Sequence, residues 1–112
     1  MKKVYALGVI LADLSDNPRS FMKDHRLWYI FGNFADAEKC VLENQSDIFE
    51  GYYNLALIEE ISVINPLDQS EMWGVPPQWW YLADSSIDRY SPVISRIEPP
   101  KAAEHLACFW VG

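Results

Sequence analysis

The run 28–60, WYIFGNFADAEKCVLENQSDIFEGYYNLALIEE, constrains the fold more than any other part of the chain. It predicts a strand, a capped helix, a short acidic and aromatic connection, and a second strand. Residues 27–31 are aromatic and β-branched, which favours a strand, and Gly32 breaks it. Asn33 is a good helix N-cap, and Asp36 stands three residues on, where a carboxylate favours a helix N-terminus. The helix is predicted over about 34–43. Phe34, Ala37 and Val41 form its apolar stripe, with Cys40 beside them, while Asp36, Glu38, Lys39 and Glu43 are expected to face water. Asn44 suits the helix C-cap because asparagine tolerates the left-handed conformation. Residues 52–61 give the clearest strand: Tyr53, Leu55, Leu57 and Glu59 alternate with Tyr52, Asn54, Ala56 and Ile58.

The flanking segments add strands. Residues 3–11 are apolar on both alternating faces, so this strand is expected to be covered on both sides or to lie at an interface. Two lysines precede it, as in a signal peptide, but the apolar part spans only 4–12 and no small-residue cleavage site follows. Residues 13–26 are read as a loop with a turn cluster at Asp16-Asn17-Pro18 and a mixed-charge patch at Lys23-Asp24-His25-Arg26. A second loop runs from Asn65 to Pro77. Residues 78–83 and 89–94 then predict a hairpin turning at Asp84-Ser85-Ser86, with Pro92 marking the second arm as an edge or a bulge. Pro99 and Pro100 stop that arm. A helical turn over 101–106 and a short strand over 108–111 complete the pattern. The expected fold is α+β: a mainly antiparallel sheet of five to six short strands with one principal helix. At 112 residues, one domain covering 1–112 is expected.

Charge narrows the function. The net charge of -7 opposes a duplex-binding surface, which needs clustered Lys and Arg, and disfavours anionic membranes. No apolar run reaches the ~20 residues of a membrane span. A cytoplasmic protein is expected. Cys40 and Cys108 both lie in apolar periodic contexts, which suits buried thiols better than a disulfide. They form no metal-binding spacing, and neither His25 nor His105 has a second ligand nearby. No glycine-rich phosphate loop occurs. Two carboxylate pairs, Asp47 with Glu50 and Glu59 with Glu60, have the chemistry for acid–base work. The plainer reading makes Asp47 a turn cap and Glu59 and Glu60 solvated charges at a strand end. We therefore expect no catalytic residues, no metal ligands and no cofactor.

The aromatics say more. Trp73, Trp79, Trp80 and Tyr81 fall within nine residues. In a strand Trp79 and Tyr81 share one face and Trp80 takes the other. Five tryptophans, six tyrosines and five phenylalanines exceed what one small core needs, which suggests an aromatic surface for a partner subunit or a flat ring. Arg89 and Arg96 lie on or near the paired arm, and Lys101 follows. Rings that stack on a base and guanidinium groups that hold phosphate are what a nucleotide requires. The alternative is that these arginines pair with surplus surface carboxylates. Trp79, Trp80, Arg89, Tyr90 and Arg96 are the candidate ligand-binding residues.

The run also carries a resemblance. A Phe-initiated helix with Ala37 and Val41-Leu42-Glu43-Asn44 is followed by Asp47-Ile48-x-Glu50 and a tyrosine-rich strand ending at Ile58-Glu59. Downstream come the tryptophan hairpin, a Pro-led turn and a short terminal segment closing on Gly112. This pattern resembles a family of small phage and bacterial proteins that contains the Thoeris anti-defence protein 1 sponges. The match is good over about half the chain and looser elsewhere. It implies a protein that sequesters a cyclic ADP-ribose-type signal, or a cyclic oligonucleotide, without cleaving it. It also implies a homo-oligomer, a dimer or a higher assembly such as a hexamer. The long segment 13–26 departs from the family's compact pattern. The alternatives are an acidic inhibitor that caps a basic site on a host defence protein and, last, a nucleotide hydrolase using one of the carboxylate pairs.

Overall fold

The computed structural model describes residues 2–14, 21–63, 77–101 and 103. Among these residues five strands form one sheet: β1 (Lys2–Ala12), β2 (Met22–Phe31), β3 (Leu55–Val63), β4 (Gln78–Asp84) and β5 (Val93–Ile97). Their order across the sheet is β2-β1-β3-β4-β5, and every neighbouring pair is antiparallel. One α-helix, α1 (Phe34–Leu42), packs on the sheet. The α+β expectation holds, with five described strands and the helix ending one residue short of the expected bound. The expected strand at 108–111 and most of the turn at 101–106 lie outside the described residues, as does Trp73.

The helix begins as its sequence dictates. The Asn33 side chain accepts a hydrogen bond from the Asp36 amide at 2.9 Å, so one orphan donor of the first turn is satisfied. Ala37, Cys40 and Val41 are buried against Leu7, Val9, Ala56, Ile58, Tyr81 and Ala83 on one sheet face. Cys40 carries a free, buried thiol, and burial pushes its pKa up.

After α1 the backbone enters the left-handed region at Asn44, Ser46, Asp47, Glu50 and Gly51. These turns fold Ile48 and Phe49 completely into the core. Asn44 suits its φ of 45° because its side chain bonds locally, accepting from the Phe49 amide at 3.3 Å.

The opposite sheet face carries a second cluster. Ile10, Ala12, Leu55, Leu57 and Trp80 pack there with Phe21 and Ala103. A strand buried on both faces reads as a continuous apolar run, which is what β1 and β3 show. Trp79 and Tyr81 share the helix-bearing face while Trp80 takes the other.

Four local expectations are corrected. Residues 23–26 belong to β2, not to a loop. They sit on an outer strand of the sheet, where all four side chains reach water and charge is tolerated while the backbone pairs with β1. The last central strand begins at Leu55, because Tyr52 and Tyr53 are still held in the preceding turn by bonds from their amides to the Phe49 carbonyl. The second hairpin arm is Val93–Ile97, so Arg89 and Tyr90 fall in the connection. Pro92 stands just before it, and β5 is the outermost of the described strands on that side. Finally, Glu59 is fully buried rather than solvated, since β3 is flanked by strands on both sides. Gln78 donates to its carboxylate at 2.9 Å.

Among the described residues no helix is long and apolar enough to cross a membrane.

Candidate functional site

Three aromatic rings meet where the start of α1 crosses the sheet. Phe34 lies 4.5 Å from Trp79 between centroids, tilted by 43°. Tyr5 on β1 completes the group, 6.0 Å from Phe34 and 6.3 Å from Trp79. All three are half-buried. These separations lie in the range where aromatic pairs attract beyond simple burial. The Tyr5 hydroxyl donates to Glu60 at 3.0 Å, and Lys3 reaches the other oxygen of that carboxylate at 3.6 Å. That bond to Glu60 raises the Tyr5 pKa.

A polar group adjoins the rings. Tyr81 on β4 and Arg96 on β5 are register partners on the helix-bearing face. The Tyr81 hydroxyl donates to Glu38 Oε2 at 2.5 Å, and Arg96 donates an Nη2 hydrogen to the same oxygen. The Arg96 guanidinium also lies over Phe34, its Cζ 5.6 Å from the ring centroid, close enough for cation–π attraction. Partial burial works against the charged form of Glu38, yet the bonds from Arg96 and Tyr81 outweigh it and hold the carboxyl below its ordinary range. Burial first, then the bond to Glu38, pushes the Tyr81 hydroxyl well up, and Glu38 likewise raises Arg96. The group is a carboxylate, a guanidinium and a neutral phenol beside stacked rings.

The structure divides the five sequence candidates. Trp79 and Arg96 join one cluster, linked through Phe34. Trp80 has no exposed surface; its ring packs 6.2 Å from Phe21 in the second core cluster and presents no face to a ligand. Arg89 and Tyr90 stand beyond the far end of β4, about 17 Å along the strand from Trp79 at ~3.4 Å per residue. There Arg89 Nε donates to the Gly51 carbonyl at 2.9 Å, and its guanidinium lies 5.8 Å from the Tyr90 ring, which is largely exposed.

Sequence reasoning missed Tyr5, Phe34, Glu38 and Tyr81 as site residues. One signal was available: Glu38 follows Phe34 by four positions, so the two share a helix face, and a cation over the ring finds the carboxylate.

A second aromatic–cation group lies on the edge strand. Two β-bulges leave Lys23 and Trp28 of β2 without partners on β1. Arg26 stands 4.8 Å over the Trp28 ring and ion-pairs with Glu50 at 3.2 Å. Trp28 Nε1 is buried with no hydrogen-bond partner among the described residues. Leu27, Tyr29 and Ile30 of the same strand are exposed.

The carboxylates weighed for acid–base work are engaged structurally. Asp47 accepts from Asn44 at 3.4 Å, Glu50 pairs with Arg26, Glu59 with Gln78, and Glu60 with Tyr5 and Lys3. Among the described residues no three His, Cys, Asp or Glu side chains are grouped to hold a metal ion.

The fold and this cluster define a small antiparallel α+β protein with an aromatic and cationic surface beside its helix. Comparison with protein-family models, curated proteins and solved structures finds no match.

Proposed function

We propose that this protein is a binding module that sequesters a cyclic ADP-ribose-type nucleotide, or a cyclic oligonucleotide, and releases it uncleaved. Such a sponge would act in the host cytoplasm as a phage anti-defence protein. The observation that carries the reading is the placement of Arg96 over Phe34, with Phe34 stacked against Trp79. A flat base has ring faces to meet there, and a phosphate has a guanidinium beside them. The cation is local, so what an anionic ligand must compete with at this point is the Glu38 carboxylate paired to Arg96 rather than the overall charge of -7. Sequestration depends on tight binding and slow dissociation, and needs no acid–base pair.

Isothermal titration with cyclic ADP-ribose isomers and cyclic di- and trinucleotides tests this, followed by denaturation and mass analysis of the released ligand. Binding with the ligand recovered intact is the expected result. Arg96→Ala should weaken that binding by about 1.5–3 kcal/mol, the scale of a hydrogen bond to a charged group. Recovery of a cleaved product would make the protein an enzyme, and no binding to any member would discard the sponge reading.

The reading includes self-association into a homo-oligomer, for which β2 is the suitable strand: ten residues long, on the sheet edge, with Leu27, Tyr29 and Ile30 exposed. The second reading, an acidic inhibitor that docks on a basic host protein, rests instead on the net charge of -7. In that case binding to the host protein would fall steeply with salt.

A further inference from the structure

We propose that Tyr81 and Arg96 form a two-donor seat for one phosphoryl oxygen, and that Glu38 fills this seat with the protein's own carboxylate until a ligand displaces it. The proposal deepens the nucleotide reading by assigning the anion site and what guards it, and it rests on that reading for the choice of a phosphoryl ligand.

The convergence of two donors on one atom is the starting observation. The Tyr81 hydroxyl and the Arg96 guanidinium both donate to Glu38 Oε2, not one to each oxygen. Their shared face does not depend on Glu38. Tyr81 and Arg96 are directly opposed across the β4–β5 ladder, so backbone pairing keeps both on the same face. Tyr81 is wholly buried, which fixes its ring and leaves its hydroxyl needing an acceptor.

Glu38 is the partner able to leave. It comes from a different element, one turn along α1 from Phe34, on a side chain with three torsions. Its side chain keeps 24% of its exposure and that of Arg96 keeps 51%, so the seat opens to solvent. A phosphoryl oxygen matches the vacated position chemically: it accepts from a phenol and from a guanidinium, and charge-assisted bonds of this kind are the stronger ones. The rings of Phe34 and Trp79 stand next to it, where the base of the same nucleotide would lie. Glu38 is thus a built-in competitor. A ligand must break an ion pair before it gains one, and the apparent affinity falls by the fraction of molecules in which the seat is open.

The test uses the full chain at constant ionic strength, with sodium pyrophosphate as probe and sodium acetate as control. Wild type, Glu38→Ala, Glu38→Gln and the double variant Glu38→Ala/Arg96→Gln are titrated, and circular dichroism and melting confirm their folds. Both single variants should bind pyrophosphate roughly two- to fivefold more tightly than wild type, the scale of an ion pair that no longer has to be broken. The double variant should lose that gain. Glu38→Gln keeps an acceptor oxygen for Tyr81 and carries the test if Glu38→Ala does not fold. Folded variants that bind pyrophosphate no better than wild type would overturn the proposal. An equal gain for acetate would overturn the phosphoryl assignment. Wild type is titrated in parallel with the cyclic nucleotides. Failure there discards the sponge reading, while the pyrophosphate comparison judges the seat by itself.

Discussion

Glu38 is held ionised by its surroundings, and this links it to acid stability. Its folded-state pKa lies below the ordinary 4.5, so its contribution is fully present above that pH and is lost as the pH falls through the depressed value. Arg96 and Tyr81 both have raised pKa values and keep their protonation states throughout this window. Asp84, held low by the Ser86 backbone amide, also loses its charge as the pH falls, so the comparison must be with a variant rather than with neutral pH alone. Glu38→Gln should show a smaller loss of melting temperature than wild type between about pH 4.5 and pH 3; parallel slopes would mean that the carboxylate contributes nothing. At this scale the Asn33 cap and the left-handed Asn44 were readable because capping and left-handed tolerance are local properties, but the helix C-cap is Glu43, one residue before the expected Asn44. Glu38 was read as a water-facing helix position because its partners, Tyr81 and Arg96, are far away in sequence. Arg96 was singled out for its chemistry, but Phe34, the ring it covers, was read only as core.

The elements are fastened by a few side-chain bonds whose removal has a predictable effect. Asn33→Ala removes the acceptor for the Asp36 amide and should cost about 1 kcal/mol, read from urea unfolding. Asn54 does more. Its side chain exchanges two bonds with the backbone of Ala12, at 2.8 and 3.0 Å, and its carbonyl accepts from Ala83 at 2.9 Å. It ties the end of β1 to the end of β4 across the start of β3. Asn54→Ala leaves the half-buried Ala12 groups unpaired and should cost about 1–3 kcal/mol; a change below 0.5 kcal/mol in urea unfolding would show that water replaces both bonds. Strands β1 and β3 were legible from their double apolar faces. The first half of β2 was not, because Lys23, Asp24, His25 and Arg26 look like loop residues until β1 supplies the pairing. The β5 arm was displaced for a similar reason: Arg89 and Tyr90 alternate like a strand, yet Asp88 and Pro92 bracket them in a turn.

The whole molecule depends on two apolar layers separated by one sheet. Ile58 is fully buried in the helix-side layer, and Ile58→Ala should destabilise the protein by about 2–5 kcal/mol in chemical denaturation. The exposed side of β2 is a matter of assembly rather than stability. Ile30→Lys, at a position 60% exposed, should leave the melting temperature nearly unchanged. It should also lower the mass measured by light scattering if copies associate along this edge. The antiparallel α+β class was readable from the alternation of strands around one helix. The strand order was not, because it is set by which sheet faces need cover, a property of the assembled layers. That order has a consequence in time. Strand β1 lies between β2, its neighbour along the chain, and β3, so Lys2 stands opposite Val63. During synthesis the β1–β2 ribbon can form early, yet its second edge stays open until the ribosome has released the segment through residue 63. Closure of that long span should set the folding rate, placing it in the millisecond-to-second regime of sheets built from distant pairings.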